Sequence, residues 1–432
     1  MTSSPVPSSP EPRLCLVGAV DAGGERVDVE CAGGTIVAVR RGDKMTTALN
    51  TKIDLRGMVL LPALVEPHTH IDKAYTADLY PNPATDFDGA IIASARSFTE
   101  ATLQDIAARA RRALLAFAAK GCLSVRTHVV VGTFFGLKAV QAVTGVVAEL
   151  TGLLDVQVVA HITPPVSGPA GRENRALMRD AIAMGATHVG GNPYWSDDPV
   201  QETYACLEEA ATAGIGIDLH TDETLDPSCL TVLVLADAVK RTGFPYSVVA
   251  SHCVSLGLQP PDTQRRAAEA LAEAGVSVIS LPQTNLYLQA RDAEEAKPRG
   301  LTALAALHRA GVKVAAGGDN LQDPFNPMGR ADPLEAASLF VSAGQLAPSM
   351  AFDAVAATAR SVCGWPQVAL EVGCPADLVA VPGSGLREAM AEASSHRVVV
   401  RRGRVVSDMV AHGAATASAG LYHRLVQPTQ LP

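Results

Sequence analysis

The chain has 432 residues, of which 48% are hydrophobic, 18% charged and 4% aromatic. That much apolar material buries a sizeable core, which excludes disorder for most of the chain, and the length suits one large α/β barrel with an appendage. A formal charge of −9 with no run of Lys and Arg, and few aromatic platforms for bases, argue against a nucleic-acid polymer as partner.

The first twelve residues are rich in Ser and Pro and read as a flexible tail, 1–12. They lack the basic and apolar regions of a secretion signal, and no stretch approaches the ~20 apolar residues of a membrane span. Short runs rich in Val, Ile and Leu follow at 13–20, 26–31, 35–40 and 52–55, punctuated by Gly, as antiparallel strands joined by tight turns require. The same texture returns at 377–381 and in the hairpin-like RVVVRRGRVV of 397–406. Neither group has enough strands to bury a face alone. The two chain ends are therefore expected to build one small β-sandwich from residues 13–58 and 366–412, with 413–432 as a C-terminal tail.

Between them, over 59–365, the period changes. Val-rich strand candidates at 59–65, 123–129, 156–162, 187–191, 215–220, 247–252, 276–281 and 312–319 alternate with helical stretches. In the stretch from 101 to 121, Leu103, Ile106, Leu114 and Phe117 share one face. Gly121, Gly214 and Gly275 stand where helices should stop. Eight βα units fit a (β/α)8 TIM barrel, a fold of ~250 residues; a doubly wound sheet is the structural rival.

In such barrels catalytic groups hang from the C-terminal ends of the strands. Here the first strand runs into VEPHTHIDK, the fifth ends in DLHTDE, the sixth in ASHC and the eighth in AGGDN. His68 and His70 alternate on an extended segment, so both imidazoles project to one side and can chelate a metal. His220 and Asp319 bring two more potential ligands to the same barrel mouth. Glu223, three residues beyond His220, suits a general acid/base beside an open metal position; the alternative is a helix-start carboxylate on backbone N–H groups. His252 ends the sixth strand beside the expected metal, with a structural hydrogen-bonded histidine as its alternative. The eight cysteines are scattered without a CxxC pair, which suits buried thiols and a cytoplasmic location.

With these residues in hand, the chain resembles the amidohydrolase superfamily, specifically its cytosine-deaminase-like branch. The resemblance covers most of the chain and rests on VEPHTHIDKA, SVRTHV, HTDE, ASHC, NLYLQAR with PRG shortly after, and GGDNLQDPFNPMG. It implies a metal-bearing (β/α)8 barrel capped by a small β-sandwich. It also implies His68, His70, His220 and Asp319 as ligands of one Zn²⁺ or Fe²⁺ ion. Glu223 matches the residue that shuttles the water's proton to a ring nitrogen, His252 the one that positions and polarises that water, and Asp319 doubles as proton acceptor. No lysine stands at 187–192, where binuclear relatives carry a carbamylated bridge, so one metal is expected. The implied reaction is hydrolytic deamination of a small nitrogen heterocycle, a metal-activated water attacking an sp² carbon that bears nitrogen. Cyclic-amide ring opening or amine release on the same fold is the runner-up, and a non-catalytic ligand-binding barrel the third reading. Relatives commonly assemble, so a homo-oligomer is expected.

Three departures from the cytosine deaminases fall around the substrate. Thr163 stands where a glutamine reads the pyrimidine edge, Asn320 replaces a second acid, and Phe325 replaces a tryptophan. The metal machinery is kept while these contacts change, which argues for a substrate other than cytosine. Lys73, in HIDK, resembles relatives acting on N-alkylated triazines and is expected to hold a substrate carbonyl or carboxylate; pairing with Asp72 or another barrel acid is the alternative. His128 and His161 read as supporting residues, Asn285, Gln289, Arg291 and Arg299 as loop scaffolding, and Trp195 as pocket lining or rim packing.

Overall fold

The computed structural model of the chain describes residues 13–42 and 51–408, so both tails lie outside the described residues. Strands β1 (Leu14–Val20), β2 (Arg26–Ala32), β3 (Thr35–Arg41), β4 (Thr51–Asp54) and β5 (Met58–Pro62) come first. They are followed by β6 (Leu64–Thr69), β7 (Cys122–Val131), β8 (Asp155–Ile162) and β9 (His188–Gly191). Next are β10 (Gly216–Thr221), β11 (Val248–His252), β12 (Ser277–Ser280) and β13 (Val314–Ala316). Then β14 (Leu378–Pro382), β15 (Val398–Arg401) and β16 (Arg404–Asp408) complete the set.

Two compact units divide these strands: the chain up to Ala63 with Ala119–Gly121 and the chain from Gln367, and Leu64–Ala118 with Cys122–Pro366. In the first, one sheet runs β16-β15-β14-β5-β1-β2-β3, with β4 also paired to β1, so both ends of the chain share it. Its apolar side gathers Leu16, Val29, Ile36, Leu55, Leu60, Leu378 and Val400 into one core. This is the β-sandwich unit expected from the two chain ends, except that β4 and β5 pair with β1 in parallel rather than antiparallel. Within the same unit Gly121 holds φ +80°, and a Cβ there would stand 2.5 Å from Val379 Cγ2. Gly121→Ala is therefore expected to cost about 2–4 kcal/mol, the sum of a left-handed backbone penalty and overpacking. A melting temperature equal to wild type would contradict this.

In the second unit β6 to β13 lie side by side in chain order, every neighbouring pair parallel. The ring closes through a bridge between Thr69 and Asp319. There His70 N–H donates to the Asp319 carbonyl at 3.0 Å, and Asp319 N–H to the His68 carbonyl at 2.9 Å. The fold is a TIM barrel. Its surrounding helices bury apolar stripes as expected, for example Ile106, Ala110, Leu114 and Phe117 in the helix Leu103–Ala119.

Two strand boundaries differ from the sequence reading. The run 59–65 is not one barrel strand: β5 pairs with β14 in the sheet of the first unit, and only β6 enters the barrel. The run is apolar throughout and buried on both sides of the break, so its period carries no sign of it. Backbone partners show the switch, since Ala63 N–H donates to Asp377 and Val65 N–H to Val355. The eighth strand is also shorter than 312–319, because Gly317 and Gly318 leave it to pass close to Glu66. A Cβ on Gly317 would sit 2.9 Å from Glu66 Oε1, so only glycine allows that approach.

Candidate active site

The C-terminal ends of β6, β10 and β11 and the turn after β13 deliver the expected residues to one place. His70 Nε2 lies 3.1 Å from His220 Nε2 and 3.3 Å from Asp319 Oδ1. His68 Nε2 is 3.7 Å from the same carboxylate oxygen. Ligand atoms of His68, His220, His252 and Asp319 all fall within 4.8 Å of one another. Burial holds the imidazoles of His68, His70 and His220 well below their usual pKa, so each is neutral and carries a lone pair. His68 Nε2 and His252 Nε2 are buried with no hydrogen-bond partner. Two imidazole nitrogens facing each other across 3.1 Å, with unpartnered nitrogens of His68 and His252 and a carboxylate beside them, are a donor set suited to a cation.

The backbone that aims these groups is strained. Asp222, His252 and Asp319 are non-glycine residues with φ of +51°, +72° and +61°. Each such conformation costs about 1–3 kcal/mol and persists only where surrounding contacts enforce it. Asp222 is clamped by backbone N–H groups of Thr231 at 2.8 Å and Val232 at 3.0 Å. That clamp sets the direction of the next residue, Glu223. Glu66 binds the seam of the barrel, accepting from His68 N–H at 3.1 Å and from Gly318 N–H at 3.0 and 3.1 Å. Burial pushes its carboxyl up to about 8.

Glu223 is buried beside the cluster. Its Oε1 accepts from Asn285 Nδ2 at 3.2 Å and lies 3.3 Å from His252 Nδ1. Burial, with the nearby Asp319 carboxylate, raises its pKa well above the carboxylate range, while Lys73 and Asn285 oppose the shift. Burial thus favours the protonated form of Glu223.

A cavity opens on this cluster, and His70, His220, Glu223 and Asp319 form its floor together with Lys73, Thr163, Asn320 and Phe325. All four expected substrate contacts thus line the same pocket, as does Trp195. They are not equally free. Asn320 spends its amide on Thr284 Oγ1 and Asp323 Oδ2, both at 3.0 Å. Lys73 is buried yet makes no hydrogen bond or ion pair through its ammonium among the described residues; Asp72 instead accepts from Val130 N–H at 2.9 Å. The Lys73 ammonium stands 4.8 Å above the Phe325 ring.

Sequence reasoning missed three features. The helix Phe87–Glu100 forms an entire wall through Phe87, Ile91, Ser94, Ala95 and Phe98, and its apolar pattern reads like any core helix. Asn285, taken for scaffolding, joins Glu223 to His252. Ser251 and Asp218 stand behind His68, its Nδ1 being 2.9 Å from Ser251 Oγ. A signal for Asp218 existed, because it lies two residues before His220 on a strand and so shares its face.

Neutral imidazoles with one carboxylate suit a divalent ion, and a carboxyl of raised pKa beside them suits proton transfer. The molecule is thus a hydrolase of the metal-dependent barrel class. Its chain belongs to the amidohydrolase family, whose model matches residues 84–407. It is similar to a pterin deaminase of Rhizobium rhizogenes, 30% identical over 91% of this chain and 92% of that protein. Among solved structures it resembles 5-methylcytosine deaminase from Klebsiella pneumoniae, with TM-score 0.82, 28% identity and coverage of 91% and 97% of the two chains. It also resembles N-isopropylammelide isopropylaminohydrolase from Burkholderia multivorans, with TM-score 0.77, 26% identity and coverage of 92% and 98%. Membership of this metal-dependent family makes the protein a hydrolase of carbon–nitrogen bonds. Among the described residues no helix is long and apolar enough to cross a membrane.

Proposed function

We propose that the enzyme hydrolytically deaminates an oxo-substituted nitrogen heterocycle of pterin type, using one Zn²⁺ or Fe²⁺ ion on His68, His70, His220 and Asp319. The observation that carries the substrate assignment is Lys73, whose ammonium lines the cavity over the Phe325 ring and makes no hydrogen bond or ion pair among the described residues. A charge removed from water needs a counter-group, and a ring carbonyl or its enolate oxygen supplies one. The aromatic rings of Phe87, Phe98, Phe135, Trp195 and Phe325 offer more flat surface than a single pyrimidine covers, which favours a bicycle. The pterin deaminase relative supports the same reading. Among the described residues no cysteine forms a disulfide, which supports a cytoplasmic setting.

When bound, the ion supplies a water of lowered pKa. The protein's own groups do the rest. Asp319 takes a proton from the attacking water, and His252, anchored through Nδ1 to Asn285 and Glu223, orients it with Nε2. Glu223 gives its proton to the ring nitrogen next to the attacked carbon. The departing amine takes up the proton held by Asp319 and leaves as ammonia, while the added hydroxyl returns a proton to Glu223 and becomes the ring carbonyl. Lys73 fixes the ring by its oxygen, and the aromatic wall excludes bulk water.

The test is ammonia release by metal-loaded enzyme with pterin, cytosine, 5-methylcytosine and N-alkylated triazines. Pterin is expected to show kcat/KM of about 10⁴ M⁻¹s⁻¹ or more. Cytosine is expected at least ~10²-fold lower, because the single, shorter hydroxyl of Thr163 cannot reproduce the bidentate donor–acceptor geometry of a glutamine amide. Cytosine turnover at the pterin level would overturn the substrate assignment, and loss of substrate without ammonia would point to ring opening. Lys73→Met should raise KM for pterin about 10- to 100-fold, the worth of a charged hydrogen bond, with a smaller change in kcat.

A further inference from the structure

The polar layer beneath the metal ligands has a fixed direction. Ser251 Oγ lies 2.7 Å from Asp218 Oδ1 and 2.9 Å from His68 Nδ1. The other oxygen of Asp218 accepts from Arg126 Nη1 at 2.9 Å, in an ion pair wholly removed from solvent. A carboxylate can only accept, and a serine hydroxyl has one proton. That proton goes to Asp218, so the Ser251 lone pair must receive an N–H from His68 Nδ1. A neutral imidazole has one N–H, and it is now placed. His68 Nε2 is left bare, and Nε2 is the atom that faces Asp319 with no other partner.

We infer that Asp218 and Ser251 are positioning residues which lock His68 in its metal-binding tautomer and thereby set the affinity of the centre. Four barrel strands contribute: Arg126 from β7, Asp218 from β10, Ser251 from β11 and His68 from β6. The neighbouring His128 cannot substitute as the directing group, since its Nε2 stays 3.7 Å from Asp218 Oδ2, too far for a hydrogen bond. Arg126 is equally particular. Its guanidinium also donates to Gln157 Oε1 at 2.9 Å and to the Cys363 carbonyl at 3.3 Å, so it faces acceptors and accepts nothing itself.

This polarity makes an asymmetric prediction. Ser251→Ala removes the lock and leaves His68 free to choose either tautomer. Asp218→Asn does more. Arg126 requires an acceptor, so the new amide presents its oxygen to Arg126 and its NH₂ to Ser251. The serine then donates to His68 Nδ1, and the imidazole proton moves to Nε2, where it blocks the ligand position. The same reversal of tautomer accounts for the loss of activity when the buried aspartate of a serine-protease triad becomes asparagine.

Metal affinity is measured by chelator competition with Zn²⁺, and the His68 tautomer by ¹⁵N NMR of the metal-free protein. Ser251→Ala should weaken Zn²⁺ binding about 10- to 100-fold, the usual effect of losing an outer hydrogen bond to a ligand. Asp218→Asn should weaken it further and show its His68 proton on Nε2, against Nδ1 in wild type. A wild-type His68 carrying its proton on Nε2 would overturn the inference, as would unchanged Zn²⁺ affinity in Ser251→Ala. Should Asp218→Asn fail to fold for want of its ion pair, those two measurements still decide. A wild-type protein that binds no Zn²⁺ would instead refute the metal-site reading itself.

Discussion

Glu223→Gln is expected to lower kcat by about 10²–10⁴ while fold and metal content stay as in wild type. The substitution keeps shape and volume, so Asn285 and the clamped Asp222 continue to hold the side chain in place. What it removes is a transferable proton. In the native site burial and Asp319 favour the protonated form of that carboxyl, which lies within reach of both His252 and the cavity. An amide in its place donates hydrogen bonds but cannot release and recover a proton during turnover. Steady-state kinetics beside metal analysis gives the answer. More than about a tenth of wild-type kcat in this variant would move the acid/base role to another group.

Removal of the metal by a chelator is expected to abolish turnover, and one equivalent of Zn²⁺ or Fe²⁺ per chain to restore it. Without the ion, no other electrophile stands among the neutral imidazoles to activate a water. His220→Ala should lose the ion and the activity together, because His220 Nε2 faces His70 Nε2 at the centre of the cluster. The stoichiometry is a sharp test. His128, His161 and His220 also bring ligand atoms within 4.8 Å of one another. Two equivalents needed for full activity would assign that triplet a metal and contradict a single centre.

The sequence made much of this legible, for a definite reason. A barrel's chemistry sits at strand ends, so HTH, DLHTDE, ASHC and GGDN are readable as a site once the strand periods are assigned. Glu223 is visible by the same logic. The helix from Phe87 to Glu100 is not, because a wall of a cavity and a face of a core demand the same apolar stripe. Asn285 and Ser251 act through distances of about 3 Å set by packing, and neither has a spacing that announces it. The break between β5 and β6 escaped because burial on both sides erases the alternation on which strand reading depends. The strain at His252 and Asp319 is a property of φ alone, and residue type gives no warning of it.

The barrel's seam gives the metal site a place in the history of the chain. Glu66 and Gly318, whose hydrogen bonds close the ring, are 252 positions apart in the chain. Contacts that distant are entropically expensive and form late. On a ribosome, the first two imidazoles leave the exit tunnel long before the aspartate that completes their set, and for most of synthesis they hold no finished site. An ion that binds only the closed ring stabilises it by mass action. An ion held by the proposed ligand set would therefore favour barrel closure, and starvation for it should show first as open, protease-sensitive chains rather than as intact enzyme lacking activity.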